Sequence, residues 1–254
     1  VNGPDDLSGA LRAARSEAGS AFGDSAVYLE RRIMRPRHIE VQVLADAHGT
    51  TVHLFDRDCS VQLRNQKVVE VAPAPGLDAA LRDRILNDAV RLVQAADYVN
   101  AGTVEFLVLP ETDEHFFIEC NPRIQVEHTV TEQVMGVDLV ELQFRIAGGA
   151  SLASLGMADQ RSVGSARGFS VQARVVAQGI GTLHAYKEPT GPGVRVDACG
   201  FVGYAPPPQF DPLLAKVIGT SGSAASLDSA LDRTSRALAD FHIAGVDTNL
   251  ASLR

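Results

Sequence analysis

The run Thr103-Val104-Glu105-Phe106-Leu107-Val108-Leu109 is followed, across Pro110-Glu111-Thr112-Asp113-Glu114, by Phe116-Phe117-Ile118-Glu119-Cys120-Asn121. Two β-rich stretches flanking a short polar turn predict a hairpin. With the turn centred on Thr112, residue 105 falls opposite residue 119, so Glu105 and Glu119 face each other on one side of the ribbon. Opposed side chains stand about 5 Å apart, and like charges there are destabilising unless compensated. A divalent cation is one compensation: hard carboxylate oxygens without a thiolate or His pair suit Mg²⁺ or Mn²⁺, which often completes its shell with substrate phosphates. The competing reading is two solvated glutamates on an exposed face.

Downstream, Glu119, Asn121, Arg123, Gln125 and Glu127 share one parity, and Ile118, Ile124 and Val126 the other. An extended segment would therefore line a surface with hydrogen-bonding and charged groups, Pro122 removing only one ladder bond. A solvent-facing edge strand has the same pattern. Upstream, His38-Ile39-Glu40-Val41-Gln42-Val43 alternates strictly, with His38, Glu40 and Gln42 on the polar face of a strand. The turn at Asp46-Ala47-His48-Gly49 brings the chain back through Thr51 to Phe55. Arg57-Asp58-Cys59-Ser60-Val61-Gln62-Leu63-Arg64-Asn65-Gln66-Lys67 then reads as a polar segment running at once into the strand Val68-Val69-Glu70-Val71, with a solvated loop as the competing reading. Lys67 is one of only three lysines, which argues against a merely decorative one.

Working further outward, Asp5 and Asp6 precede a helical spacing of Leu7, Leu11, Ala14, Ala18 and Phe22, and Ala26 to Ile33 reads as a short strand. Leu81, Ile85, Ala89, Leu92 and Ala96 mark a long amphipathic helix, and Leu227, Leu231 and Leu238 another. A soft Ala/Ser/Gly stretch beyond Gly148-Gly149 suggests a boundary near residue 150. Sheet with helices upon it, an α+β fold, is the result. The 254 residues, 45% hydrophobic, suffice for one large core or two modest ones. A net charge of −8 without a basic run argues against a nucleic-acid face, and no apolar stretch is long enough to cross a bilayer, so a cytoplasmic protein is expected. Cys59, Cys120 and Cys199 are spaced as reduced, buried thiols. Serine-hydrolase elbows, zinc-protease helices, Walker loops and dinucleotide glycine motifs are all missing from the sequence.

Taken together, Arg37-His38-Ile39-Glu40-Val41-Gln42, the Arg57 to Lys67 segment, and Phe117-Ile118-Glu119-Cys120-Asn121-Pro122-Arg123-Ile124-Gln125-Val126-Glu127-His128 resemble the biotin carboxylases in order and spacing. Gly191-Pro192-Gly193-Val194-Arg195 and Asp211-Pro212-Leu213-Leu214-Ala215-Lys216 extend the resemblance. It implies an ATP-grasp central sheet with a biotin carboxylase C-terminal sub-domain: residues 1–33 the end of the lid, 34–150 the central domain, and 151–254 the C-terminal sub-domain. The glycine-rich lid loop with its lysine, and the family's N-terminal domain, have no counterpart here, and the start at Val1 suggests a piece of a longer protein, inactive on its own.

The resemblance also implies roles. Glu30 and Leu107 hold adenine, and His38 and Gln62 the ribose of ATP. Glu105, Glu119 and Asn121 ligate Mg²⁺ or Mn²⁺. Lys67, Arg123, Gln125 and the backbone of Val126 cradle bicarbonate, Glu127 removes its proton, and Arg174 stabilises the enolate of biotin presented on a carrier. Departures are Leu63 where arginine is common and Gln178 where glutamate is usual, while Asn65 matches some members. The implied partners are a biotin carboxyl carrier, a carboxyltransferase and, with Arg195 near the contact, a second copy in a homodimer. Two other readings stay open: another ATP-grasp ligase of the carbamoyl-phosphate synthetase type, or a non-catalytic nucleotide-binding or dimerisation module.

Overall fold

A computed structural model describes residues 1, 3–109, 111–222 and 226–254, so Pro110 of the expected hairpin turn lies outside the described residues. The chain divides into two compact units, Val1–Met34 and Arg35–Arg254. In the first, helix α1 (Pro4–Phe22) begins after Gly3 with proline in its opening turn and ends on Gly23 at φ 73°. Asp5 and Asp6 do not cap it. They occupy its first turn, where their charge meets the positive end of the helix dipole. Residues 26–33 form no strand, correcting the expectation, because their backbone joins no ladder.

The second unit is built on an eight-stranded, wholly antiparallel sheet. Its strands are β1 (Arg37–Ala45), β2 (Thr51–Leu63), β3 (Gln66–Ala72), β4 (Asn100–Leu109), β5 (Glu114–Asn121), β6 (Ser170–Val176), β8 (Val194–Ala198) and β9 (Leu213–Thr220). Across the sheet the order is β5-β4-β1-β2-β3-β6-β9-β8, while β7 (Ala185–Lys187) pairs separately with β10 (His242–Ala244). The helices are α2 (Ala79–Ala95), α3 (His128–Met135), α4 (Leu139–Ala147), α5 (Leu227–Asp240) and the short α6 (Leu250–Leu253). This is the expected α+β class.

Strand alternation decides which helix lies where. Ile39, Val41 and Val43 pack with Val104, Phe106 and Val108 against Leu81, Ile85, Ala89 and Val93 of α2. Asp78 caps that helix by accepting from Leu81 N at 3.0 Å. On the other face Leu44, Val52 and Leu54 meet Val130 and Val134 of α3 and Leu139, Leu142 and Ile146 of α4. Ala173, Val175, Ala215 and Val217 pack under Ala237 and Leu238 of α5, where a Cβ on Gly219 would run into Thr234 and Ala230.

The polar segment 57–67 is mostly strand, against the competing reading of a solvated loop. β2 runs on to Leu63, Leu63 pairs with Gln66, and Arg64 and Asn65, at φ 50° and 64°, form the two-residue turn between β2 and β3. Two successive left-handed residues give the tight turn that matches strand twist, and asparagine tolerates that conformation well. Of the three thiols only Cys59 is buried, and Cys120 and Cys199 are exposed, against the expectation of three buried ones.

Candidate active site

Four strands bring their charges into one row. Glu119 on β5 lies opposite Glu105 on β4, Glu105 opposite Glu40 on β1, and Glu40 opposite Arg57 on β2. The expected pairing of residues 105 and 119 is therefore present, reached through an irregularity. Nearer the turn Phe106 pairs with Phe117, and an extra residue at Ile118 restores the register at Glu105. Three successive carboxylates in direct opposition need compensating charge.

Arg57 supplies it at one end. Its guanidinium is completely buried and donates to Glu40 Oε2 at 3.2 Å, Gln42 Oε1 at 2.8 Å, Gln125 Oε1 at 2.9 Å, and the hydroxyls of Thr103 and Thr131 at 3.1 Å. Lys67 reaches over from β3 and bonds Glu40, Glu105 Oε1 at 3.2 Å and Glu127 Oε1 at 2.8 Å. Burial works against the charge on Lys67, but Glu40 and Glu127 outweigh it and raise its pKa. The ammonium is fixed as a cation.

His38 joins the row from β1. Gln62 Nε2 donates to its Nδ1 at 3.1 Å, which leaves Nε2 to donate to Glu105 Oε2 at 2.5 Å. Burial would lift the Glu105 pKa, yet the His38 hydrogen bond, the Lys67 charge and Gln125 together hold it down at about 2. Gln125 Nε2 reaches Glu105 Oε1 at 2.7 Å. Leu107, half-buried, stands beside His38 across the β1–β4 ladder.

Asn121 Nδ2 donates to Glu105 Oε1 at 2.9 Å and to Glu119 Oε1 at 3.1 Å, spanning the two acids. The amide thus draws the two carboxylates toward one point, while its own carbonyl accepts from Arg123; paired hard carboxylate oxygens suit a small hard cation. His38, Glu40 and Glu105 form a second convergent group.

Beyond β5 the chain follows an irregular ledge rather than a strand, with Gln125 and Glu127 buried and Arg123 exposed. Arg123 donates to Asn121 Oδ1 and Ile124 O, each at 3.2 Å. Glu127 receives Lys67 on one oxygen and Arg174 Nη2 on the other at 2.9 Å. Burial tends to raise its pKa, but Arg57, Lys67 and Arg174 bring it down, to about 2. Arg174 on β6 is clamped from the other side by Glu70 Oε1, 2.5 Å from Nε, and Gln172 Nε2 donates to the second Glu70 oxygen at 2.8 Å. Desolvation lifts Glu70 to about 7 despite Arg174. A cleft of about 570 Å³ opens beside Lys67 and Arg174, walled by Leu63, Val68, Val176 and Leu253.

The structure thus gathers His38, Gln62, Lys67, Glu105, Leu107, Glu119, Asn121, Arg123, Gln125, Val126, Glu127 and Arg174 on one face and one edge of the sheet. Glu30 belongs to the first unit and is exposed. The sequence reading missed Arg57, Glu40 and Glu70 as members of the site. Strand alternation had already set Glu40 beside His38, whereas Phe55 at φ 62° breaks the period ahead of Arg57 and hides its facing.

Residues 1–155 match the family described as carbamoyl-phosphate synthase L chain, ATP binding domain, and residues 172–254 match the biotin carboxylase C-terminal domain. The chain belongs to the biotin carboxylase family. Among its relatives, a pyruvate carboxylase of Aspergillus terreus is 48% identical over 98% of this chain, which spans 21% of that protein. The biotin carboxylase domain of the 2-oxoglutarate carboxylase of Hydrogenobacter thermophilus, solved as a dimer with MgADP, ADP and bicarbonate, is 38% identical with a TM-score of 0.90, over 98% of this chain and 55% of that one. Pyruvate carboxylase of Rhizobium etli is 42% identical with a TM-score of 0.92, over 100% of this chain and 23% of that one. This chain therefore spans about a fifth of the curated relatives it matches, and its sheet is that of the ATP-grasp biotin carboxylases. No described helix is long and apolar enough to cross a membrane.

Proposed function

We propose that these residues form the working face of a biotin carboxylase, which uses ATP and bicarbonate to carboxylate biotin on a carrier. The observation that carries this reading is the row Glu119-Glu105-Glu40-Arg57 with Lys67 and the Gln125–Glu127 ledge lying over it. Residues 34–150 would serve as the central ATP-grasp domain and 151–254 as the sub-domain carrying Arg174, the two joined by the β3–β6 ladder. Residues 1–33 would be the end of the lid.

Glu105, Glu119 and Asn121 would hold Mg²⁺ or Mn²⁺, which when bound would offset charge on the nucleotide phosphates. His38 and Gln62 orient the ribose, and Arg123, Gln125 and the Val126 backbone receive bicarbonate. In the resting site Glu127 is held anionic by Lys67 and Arg174 and is a weak base. Anionic substrates compete for both cations, and as they draw Lys67 and Arg174 away the Glu127 pKa climbs toward the range where it accepts the bicarbonate proton. The freed bicarbonate oxygen bonds to the γ-phosphorus, the bond to ADP breaks, and Lys67 offsets the charge on the phosphoryl oxygens. Carboxyphosphate then releases CO₂ and phosphate. The released phosphate takes the ring N–H proton of biotin, and Arg174, poised at the cleft, stabilises the resulting enolate oxygen as that nitrogen bonds CO₂.

A carrier domain, a carboxyltransferase and a second copy of the chain are the partners this chemistry calls for, and the cytoplasm is its proposed setting. Arg195, expected near the dimer contact, is bound within the chain to Glu132 and Asp197. The test is bicarbonate-dependent, biotin-stimulated ADP release by the full-length protein. Lys67→Ala and Glu119→Ala should each lower it about a hundredfold. Undiminished activity in both refutes the assignment, and activity with ammonia in place of biotin favours the carbamoyl-phosphate synthetase type.

A further inference from the structure

Two neighbouring carbonyls of the ledge are held by basic side chains. His128 Nδ1 donates to Gln125 O at 2.7 Å, and Lys216 Nζ, on β9, donates to Val126 O at 3.2 Å. In a trans peptide the N–H points opposite to the C=O. Holding Gln125 O therefore fixes the direction of the Val126 N–H, and holding Val126 O fixes the peptide from which the Glu127 side chain departs.

The two holders are linked. Lys216 is 8% exposed and pairs with Asp197 Oδ2 at 3.2 Å. Arg195 grips both oxygens of Asp197, at 2.8 and 2.9 Å, and reaches Glu132 Oε2 at 2.7 Å. The other Glu132 oxygen accepts Leu139 N at 2.7 Å and stands 3.9 Å from His128 Nε2. The chain Lys216-Asp197-Arg195-Glu132-His128 thus begins and ends on adjacent ledge carbonyls. Its members come from β9, β8 and α3, and Lys216 stands opposite Arg174 in the β6–β9 ladder.

We propose that Lys216 is a positioning residue for the bicarbonate subsite: held by Asp197, it orients the Val126–Glu127 peptide and with it the Glu127 carboxylate that the ledge presents to the anion. This rests on the functional reading above. A charge-assisted hydrogen bond to one carbonyl is worth roughly tenfold in binding, and the effect falls on bicarbonate because ATP does not use this ledge.

The test is steady-state kinetics of the full-length protein, wild type against Lys216→Met, Lys216→Arg and Asp197→Asn, with MgADP affinity by calorimetry as the control. Lys216→Met should raise KM for bicarbonate about tenfold while KM for ATP and the MgADP Kd stay within about twofold. Lys216→Arg, which keeps a donor, should recover most of the loss. Asp197→Asn, which frees the ammonium without removing it, should give about a threefold rise, and it carries the test should Lys216→Met fail to fold. An unchanged bicarbonate KM in a folded Lys216→Met or Asp197→Asn protein overturns the inference alone, as does a parallel rise in both KM values. A wild type with no bicarbonate dependence overturns the functional reading, and this inference with it.

Discussion

Arg57 organises the site without facing solvent. Its guanidinium satisfies Glu40, Gln42, Gln125, Thr103 and Thr131 at once, so removing it strands a buried carboxylate and several amide and hydroxyl groups. Arg57→Met should lower unfolding free energy by about 3–5 kcal/mol, read from urea midpoints. A loss below about 1 kcal/mol would show that the network relaxes around the gap. Arg57→Lys should not restore it, because a single ammonium lacks the planar fork that spans β1, β4 and the ledge.

Glu70 offers a pH test at the same scale. Its pKa rises from 4.5 to about 7, so between those values the native protein holds a proton that the unfolded chain has released. Native stability must then fall as pH rises through that window, by up to about 1.4 kcal/mol per pH unit. Glu105 and Glu127 act oppositely. Their depressed values contribute stability that is present above pH 4.5 and lost as pH drops toward about 2. Comparing Glu70→Gln with wild type from pH 5 to 8 by thermal midpoint isolates the first slope. A variant whose pH dependence parallels wild type would show that Glu70 titrates normally.

At the scale of elements, α2 shows how far periodicity carries. The spacing Leu81, Ile85, Ala89 was legible, but the stripe continues to Val93, and Leu92 stays 39% exposed. Ile85→Ala should cost about 2–5 kcal/mol, against under about 1 kcal/mol for Leu92→Ala. Equal losses would mean the helix is rotated from the face described. Helix α5 repeats the lesson: Ala230, Thr234, Ala237 and Leu238 are buried, while Leu231 is 41% exposed.

Strand parity was legible where the ladder is regular. His38, Glu40 and Gln42 share one face as a period of two requires, whereas Glu105 meets Glu119 through the extra residue at Ile118. It failed wherever the backbone departs from that period: at Phe55, at Ile118 and at the Arg64-Asn65 turn. Those departures decide where Arg57 and Lys67 point, and the resemblance of whole motifs, not periodicity, supplied the role of Lys67. Contacts between distant segments, such as Glu70 with Arg174, depend on β3 and β6 becoming neighbours, which no local pattern encodes.

At the scale of the molecule, residues 35–254 form one unit because β3 and β6 join strands from both sides of residue 150 in a single sheet. The Glu70 and Glu127 bridges to Arg174 fasten the same seam. Amides of β3 and β6 should therefore exchange hydrogen with a common opening free energy, within about 1 kcal/mol. A gap well beyond that would mean two foldons meeting at a weak joint. The seam also has a chemical role in the proposed reaction, since Glu127 shares its two oxygens between Lys67 and Arg174 and so ties the bicarbonate subsite to the biotin cleft.

The central claim is that opposed carboxylates grip a divalent cation beside an anion ledge. Crystals of the full-length protein grown with Mn²⁺, ADP and bicarbonate, with manganese located by its anomalous scattering, test it most directly. The account predicts a peak between the Glu105 and Glu119 carboxylates and an anion against Arg123, Gln125 and the Val126 N–H. Manganese on His38, Glu40 and Glu105 instead, or no peak at the opposed pair, would contradict it.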